Sequence, residues 1–205
     1  MKKLEEIFHK IKNIKNINIL ELGVRHGIST KMFLQLCDDN EGKLISVDIN
    51  DCSKVANKKR WTFIHSSDDN FDLINSYIKK DLDVIFIDSL HEPNHVKKIF
   101  YNYYKKLKIK GLCIIDDISW LPYTKNAPRD NDFTERVNRL TFQKILEISN
   151  ANEKNFYLEI LFKGSGLAII TKNTNDELIE EIKISDRSLT FKNFLKKIYS
   201  PKPKN

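Results

Sequence analysis

Acids stand at the ends of two apolar runs in this 205-residue chain: Asp88 closes "LDVIFID" (82–88), and Asp116 and Asp117 close "GLCIIDD" (111–117). Both runs read as neighbouring strands, so three carboxylates converge at one edge of a sheet. Like charges at close range oppose each other's ionisation, and a hard divalent cation removes that cost. Magnesium takes one or two carboxylates and completes its shell with waters and substrate oxygens. The alternative needs no metal, with Asp88 a cofactor contact and Asp116 a cap. Three residues beyond Asp88, in "DSLH", stands His91. Its imidazole titrates near working pH, which suits a proton acceptor; holding its loop is the structural alternative.

A second constellation lies earlier. The stretch "ILELGVRHGIST" (19–30) leaves an apolar strand through Glu21, passes Gly23 and Gly27, and opens a helix at Ser29. In an open α/β sheet, ligands bind beyond the carboxyl ends of the strands, where the strand order reverses. Glycines at a dinucleotide site let backbone amides approach a pyrophosphate, and Arg25 would crowd that approach. The loop therefore suits a nucleoside without phosphates, or else is a packing turn. Asp48 ends the next strand, 27 positions after Glu21. A carboxylate there accepts both ribose hydroxyls of an adenosyl group or caps a helix; NAD and S-adenosylmethionine would use it alike.

The elements that must position these groups are readable from periodicity. Leu4, Ile7, Phe8, Ile11 and Ile14 fall on one helical face within 1–15. "INILEL" (17–22), "KLISVDI" (43–49), "WTFIHS" (61–66), 82–88 and 111–117 read as strands, several apolar at consecutive positions as in a parallel sheet covered on both faces. Val96, Ile99, Phe100, Tyr103, Tyr104 and Leu107 stripe a helix, after which Gly111 reads as a turn residue. The stretch 118–132 has two prolines and no period, and reads as a long loop. Trp120, Tyr123 and Arg129 would make it a substrate lid, or pack simply. A helix from Phe133 to Ile148 follows, then "FYLEILF" and "LAIITK" around "KGSG", a hairpin. Helices and a basic tail are expected over 173–205. The whole, 1–205, reads as one α/β domain: a seven-stranded, mostly parallel sheet ending in an antiparallel hairpin.

Composition narrows the class. The net charge is +7, with 35 basic against 28 acidic residues, but the lysines are scattered, which makes a nucleic-acid partner the weaker reading. Cys37, Cys52 and Cys113 include no CxxC pair, which argues against a zinc site or a disulfide framework. Glu5, Glu6, His9 and Lys10 interrupt any signal-peptide core, and no run has the length of a membrane span. A cytoplasmic protein is expected.

"ELGVRHGIST", "SVDIN", "FIDSLHEPNHV" and "GLCIIDDIS", in this order, resemble class I S-adenosylmethionine-dependent methyltransferases over nearly the full length. The similarity is greatest to the group of sugar and macrolide O-methyltransferases and proteins called cephalosporin hydroxylases. The resemblance implies a doubly wound, Rossmann-like three-layer sandwich. Its cofactor-binding positions would be Glu21, Gly23, Gly27, Ser29, Asp48, Ser67, Asp68 and Asp88, with Ser67 and Asp68 on the adenine side; Asp68 serves equally as a helix N-cap. It also implies a divalent metal, magnesium by preference, on Asp88, Asp116 and Asp117, and His91 as catalytic base. The acceptor would be a small polyhydroxylated molecule, a sugar or sugar-bearing metabolite, with a homo-oligomer left open. His26 is expected to line the cofactor pocket and His95 to be solvated. The chain departs from the pattern where Ser89 replaces a glycine and where Pro93 and Asn94 replace an aromatic. The rivals are an RNA or other nucleic-acid methyltransferase, a dehydrogenase, and a non-catalytic S-adenosylmethionine-binding protein. No Asn-Pro-Pro-aromatic or Pro-Cys motif supports the first, and no His-x-Asp iron triad supports a hydroxylase.

Overall fold

The computed structural model describes residues 2–120 and 131–185, with Phe191 and Leu195. The chain runs α1 (Lys2–Ile11), β1 (Asn18–Leu22), α2 (Ile28–Asp39), β2 (Lys43–Asp48), β3 (Trp61–His65), α3 (Phe71–Tyr77), β4 (Leu82–Ile87), α4 (Pro93–Tyr104), β5 (Leu107–Asp116), α5 (Asp132–Ala151), β6 (Phe156–Leu161) and β7 (Leu167–Lys172). The strands form one sheet in the order β3-β2-β1-β4-β5-β7-β6. β1 to β5 are parallel, and β7 runs antiparallel to both β5 and β6. The strand order reverses between β1 and β4, where ligands of such sheets bind.

Strand alternation sorts the core into two layers. Val84 and Phe86 of β4 join Ile7 and Ile11 of α1 and Phe33 and Leu36 of α2 on one face. Ile85 and Ile87 join α3, α4 and α5 on the other. All six positions of β4 are buried: the apolar run Val84–Ile87 is covered on both faces, and Asp83 accepts from the Asn18 N–H and Lys108. α4 begins where Glu92 accepts a hydrogen bond from the His95 N–H and Pro93 occupies the first turn, where a missing N–H costs nothing.

Two expectations change here. Leu107 opens β5 rather than closing the α4 stripe, and Gly111 lies inside that strand rather than in a turn. The turn signal is absorbed as a bulge: Lys110 takes φ 66°, and pairing with β4 jumps from Leu82↔Leu107 to Val84↔Leu112. Residues 173–185 carry no helix. They run irregularly across the α4–α5 layer, held by Tyr101 and Asn152 donating to the Ile179 carbonyl.

Candidate active site

Two backbones meet at the strand-order reversal. Gly23 has φ 98°, and a Cβ there would lie 2.1 Å from the Asp88 carbonyl oxygen. Only glycine permits this approach. It locks the loop after β1 to the end of β4, with the Asp88 N–H donating to the Leu22 carbonyl and the Gly23 N–H to Val47. Gly27 caps α2 at φ 71°, and a Cβ there would strike Val55. Asp48 organises the same loop. Its Oδ2 accepts from the N–H groups of Val24 (2.8 Å) and Arg25 (2.9 Å), and its Oδ1 from Asn50 (2.8 Å). Partial burial works against its charge, but the N–H groups of Arg25, Asn50 and Val24 outweigh it and hold the carboxyl below its usual range. Asp48 is therefore a fixed anion at the cavity wall and caps no helix.

Glu21 occupies a different place from the expected cofactor contact. It is fully buried beneath the loop, where its carboxylate accepts from the hydroxyls of Ser29 (2.6 Å), Thr30 (2.8 Å) and Ser46 (2.6 Å). Trp61 Nε1 donates onward to Ser46 (2.9 Å). The network ties β1, β2, β3 and α2 together, so Glu21 and Ser29 brace the loop from below. Burial pushes the Glu21 carboxyl up to about 7 despite the three hydroxyl donors.

Two cavities adjoin above the sheet. One, of about 440 Å³, is lined by Asp48, Asn50, Ser67, Asp68 and His95. The other, of about 460 Å³, is lined by His91, Glu92, Phe133, Thr134, Val137 and Asn138. Gly23, Arg25, Asp88, Ser89 and Leu90 border both. Asp68 is not an N-cap; Asn70 holds that place before α3. The Asp68 carboxylate accepts instead from Ser89 Oγ and pairs with His95 Nε2 (2.9 Å). His95 is thus a largely enclosed partner of Asp68, not a solvated residue. His26 borders neither of these cavities; it lines a smaller one of about 250 Å³ beside Lys3 and Ser29.

At the junction, Asp88, His91 and Asp117 each present a donor atom within 4.8 Å of the other two. His91 Nε2 lies 3.6 Å from Asp88 and 3.5 Å from Asp117. Two carboxylates beside an imidazole fit a divalent cation chemically. The acid expected as third ligand, Asp116, is elsewhere. It is ion-paired with Lys3 of α1 and accepts from the Asp117 N–H (2.6 Å). Asp117 takes φ 55°, a left-handed conformation that few non-glycine residues adopt. Burial pushes the Asp116 carboxyl above its ordinary range, against the pull of Lys3.

α5 closes the second cavity. Thr141 Oγ1 donates to the His91 carbonyl (2.7 Å), and Asn138 Nδ2 to the Ser119 carbonyl (2.8 Å). Trp120 packs against Phe142, ring centroids 4.4 Å apart, and against Phe162. It anchors the start of the loop; Tyr123 and Arg129 lie outside the described residues. Sequence reasoning missed Lys3, Thr141 and the Asp68–His95 pair. The first two act across long chain separations with no local signal, whereas a histidine one turn into α4 beside the sheet edge was findable.

Residues 20–118 match the model of a family described as a methyltransferase domain. No curated protein sequence matches the chain significantly. Among solved structures, the chain is similar to the MycE methyltransferase from the mycinamycin biosynthetic pathway in complex with Mg, SAH and mycinamycin VI. Identity there is 20% and the TM-score 0.61, covering 86% of this chain and 50% of that one, so the chain spans about half of MycE. It is also similar to a putative caffeoyl-CoA O-methyltransferase from Staphylococcus aureus, at 22% identity and TM-score 0.66, covering 84% of each chain. SAH-bound PaMTH1 from Podospora anserina follows at 16% and 0.65, covering 84% of this chain and 78% of that one. These likenesses establish the fold, and the match to a methyltransferase domain runs over residues 20–118, from β1 past the end of β5.

Proposed function

We propose that the chain methylates a hydroxyl oxygen of a small polyhydroxylated acceptor, a sugar or sugar-bearing metabolite, with help from a divalent cation. The observation that carries this reading is the Asp88–His91–Asp117 group at the border of two adjoining cavities. One cavity has the carboxylate for a ribose, Asp48, and the other mixes polar Glu92, Thr134 and Asn138 with apolar Phe133 and Val137. Such a wall suits a sugar, which presents hydroxyls at its edge and C–H groups on its faces. The similarity to MycE, a methyltransferase solved with Mg, SAH and mycinamycin VI, supports a cation and a small-molecule acceptor.

S-adenosylmethionine supplies a methyl group on a sulfonium, open to in-line displacement. The protein's share is alignment, proton removal and exclusion of water. Asp48 would hold the ribose, and the Gly23 loop would bring the cofactor against the end of β4. Asp88 and Asp117 would hold the cation, magnesium or manganese. Such an ion fixes an acceptor oxygen and lowers the pKa of its hydroxyl. His91, beside both carboxylates, would take the hydroxyl proton as the methyl arrives.

The test is titration calorimetry of S-adenosylmethionine, with NADH as the contrast and with magnesium present or absent, followed by a polyhydroxylated-acceptor panel scored by SAH release. Binding of S-adenosylmethionine and not NADH, weakened about tenfold or more by Asp48→Ala, is expected. His91→Gln should lower kcat while leaving Mn²⁺ affinity unchanged. Absence of S-adenosylmethionine binding would overturn the reading, and loss of Mn²⁺ with His91→Gln would make His91 a ligand instead of the base.

A further inference from the structure

We infer that Lys3, on the N-terminal helix, is a positioning residue that sets the donor set of the cation site by holding Asp116 out of it. The inference rests on the metal reading above and concerns how many carboxylates the ion meets. Lys3 Nζ makes its ion pair with Asp116, lies 3.4 Å from Asp117 Oδ1, and also donates to Ser165 of the β6–β7 turn. These partners are 113, 114 and 162 residues away in sequence. The ammonium therefore stands where α1, the end of β5 and the hairpin turn meet. Lys3, Asp88, Asp116 and Asp117 line one small cavity there.

The charges explain why a lysine is placed here. Asp116 and Asp117 are consecutive and both 5% exposed. An ammonium between them offsets part of their repulsion. Its position is unequal, closer to Asp116 than to Asp117. The Asp116 carboxylate is held by Lys3 and by the N–H of Asp117, whose backbone is left-handed there. Asp117 is left within ligand range of Asp88 and His91, whereas Asp116 is absent from that group. With Lys3 present, an arriving ion meets two carboxylates and an added positive charge nearby. Without Lys3, Asp116 would be released toward the ion and the ammonium's own charge would be gone. Lys3 thus limits cation affinity and disfavours ions such as calcium, which use many oxygen ligands.

α1 is also fastened by Lys10 to Glu159 (2.9 Å) and by Glu6 to Lys163, away from the acids. Helix docking can therefore be separated from the ammonium's charge by mutation. The experiment is calorimetric titration of Mn²⁺ and Ca²⁺ into the full chain and its Lys3→Met, Lys3→Gln, Lys3→Arg, Asp116→Asn, Asp117→Asn and Lys10→Met variants, each checked for folding by circular dichroism. Lys3→Met and Lys3→Gln should tighten Mn²⁺ about tenfold and Ca²⁺ more. Lys3→Arg and Lys10→Met should behave as the parent. Asp116→Asn should weaken Mn²⁺ far less than Asp117→Asn does and should cancel the gain in Lys3→Met, and Asp117→Asn should abolish binding. Mn²⁺ binding that Asp117→Asn removes, with no tightening in either Lys3 variant, overturns this inference alone. An Asp116→Asn loss as large as that of Asp117→Asn also overturns it, because Asp116 would then be a ligand. Absence of cation binding in every variant, with S-adenosylmethionine still bound, overturns the metal reading and the role of Lys3 together.

Discussion

Glu21 is a fully buried acid held among hydroxyl groups of α2 and β2. Three hydroxyls donate to its carboxylate, yet burial raises its pKa from 4.5 to about 7. For an acid whose folded pKa is raised, the folded state binds more protons than the unfolded one between the two values. The associated stability is complete below about pH 4.5 and is lost as pH rises through about 7. The loss amounts to at most about 3 kcal/mol. Glu21→Gln removes this slope. Its melting temperature should fall furthest below the parent's near pH 5 and approach it, or cross it, at pH 8. A pH-independent difference would mean that the hydroxyl cage keeps Glu21 charged throughout. Ser29 is part of the same cage, so the loop over the cofactor cavity should share its pH dependence.

Among the elements, α5 walls the cavity proposed for the acceptor. Its Phe133, Thr134, Val137 and Asn138 form one wall, and Thr141 reaches across to the His91 carbonyl. Thr141→Val keeps the volume and removes that hydrogen bond. The expected cost is about 0.5–1.5 kcal/mol in denaturant unfolding, because a part-buried carbonyl loses this donor. Turnover should fall while S-adenosylmethionine affinity in calorimetry holds, since no α5 residue lines the cavity of Asp48; an equal loss of both would mean that α5 supports the whole site. The alternation of strands and helices was legible because the central runs in β1 and β4 are covered on both faces, and β4 is the plainest case. Asp48, Asp88, His91 and Asp117 were legible because side chains at strand ends are placed by the topology itself. The turn read at Gly111 was not, since a bulge and a turn share the same glycine signal. Nor was the partner of Asp116: a lysine on the first helix finds it only once β5 and the hairpin are folded against α1. An acid at a strand end looks alike in sequence whether it faces a cavity, as Asp48 does, or a hydroxyl cage, as Glu21 does.

For the molecule as a whole, the site is assembled from distant pieces: α1 through Lys3, the loop after β1, the ends of β2, β4 and β5, and α5. A ligand that bridges them binds the folded chain and not the unfolded one. Its stabilisation follows RT ln(1 + [L]/Kd), about 2.7 kcal/mol at a hundredfold excess over Kd. For a chain of this size each kcal/mol moves the midpoint by roughly 2–4 °C, so saturating S-adenosylmethionine should raise the melting temperature by about 5–10 °C. Asp48→Ala at the same ligand concentration should show about half of that shift or less, although its unliganded midpoint also falls because the Val24, Arg25 and Asn50 amides lose their acceptor. The comparison is therefore made within each protein, with and without ligand. A rise of equal size in both would place the bound cofactor away from Asp48. Amide exchange adds the spatial test: the loop after β1 and the Asp88–Leu90 segment should slow together on binding, because Gly23 and Asp88 are in backbone contact and cannot be ordered separately.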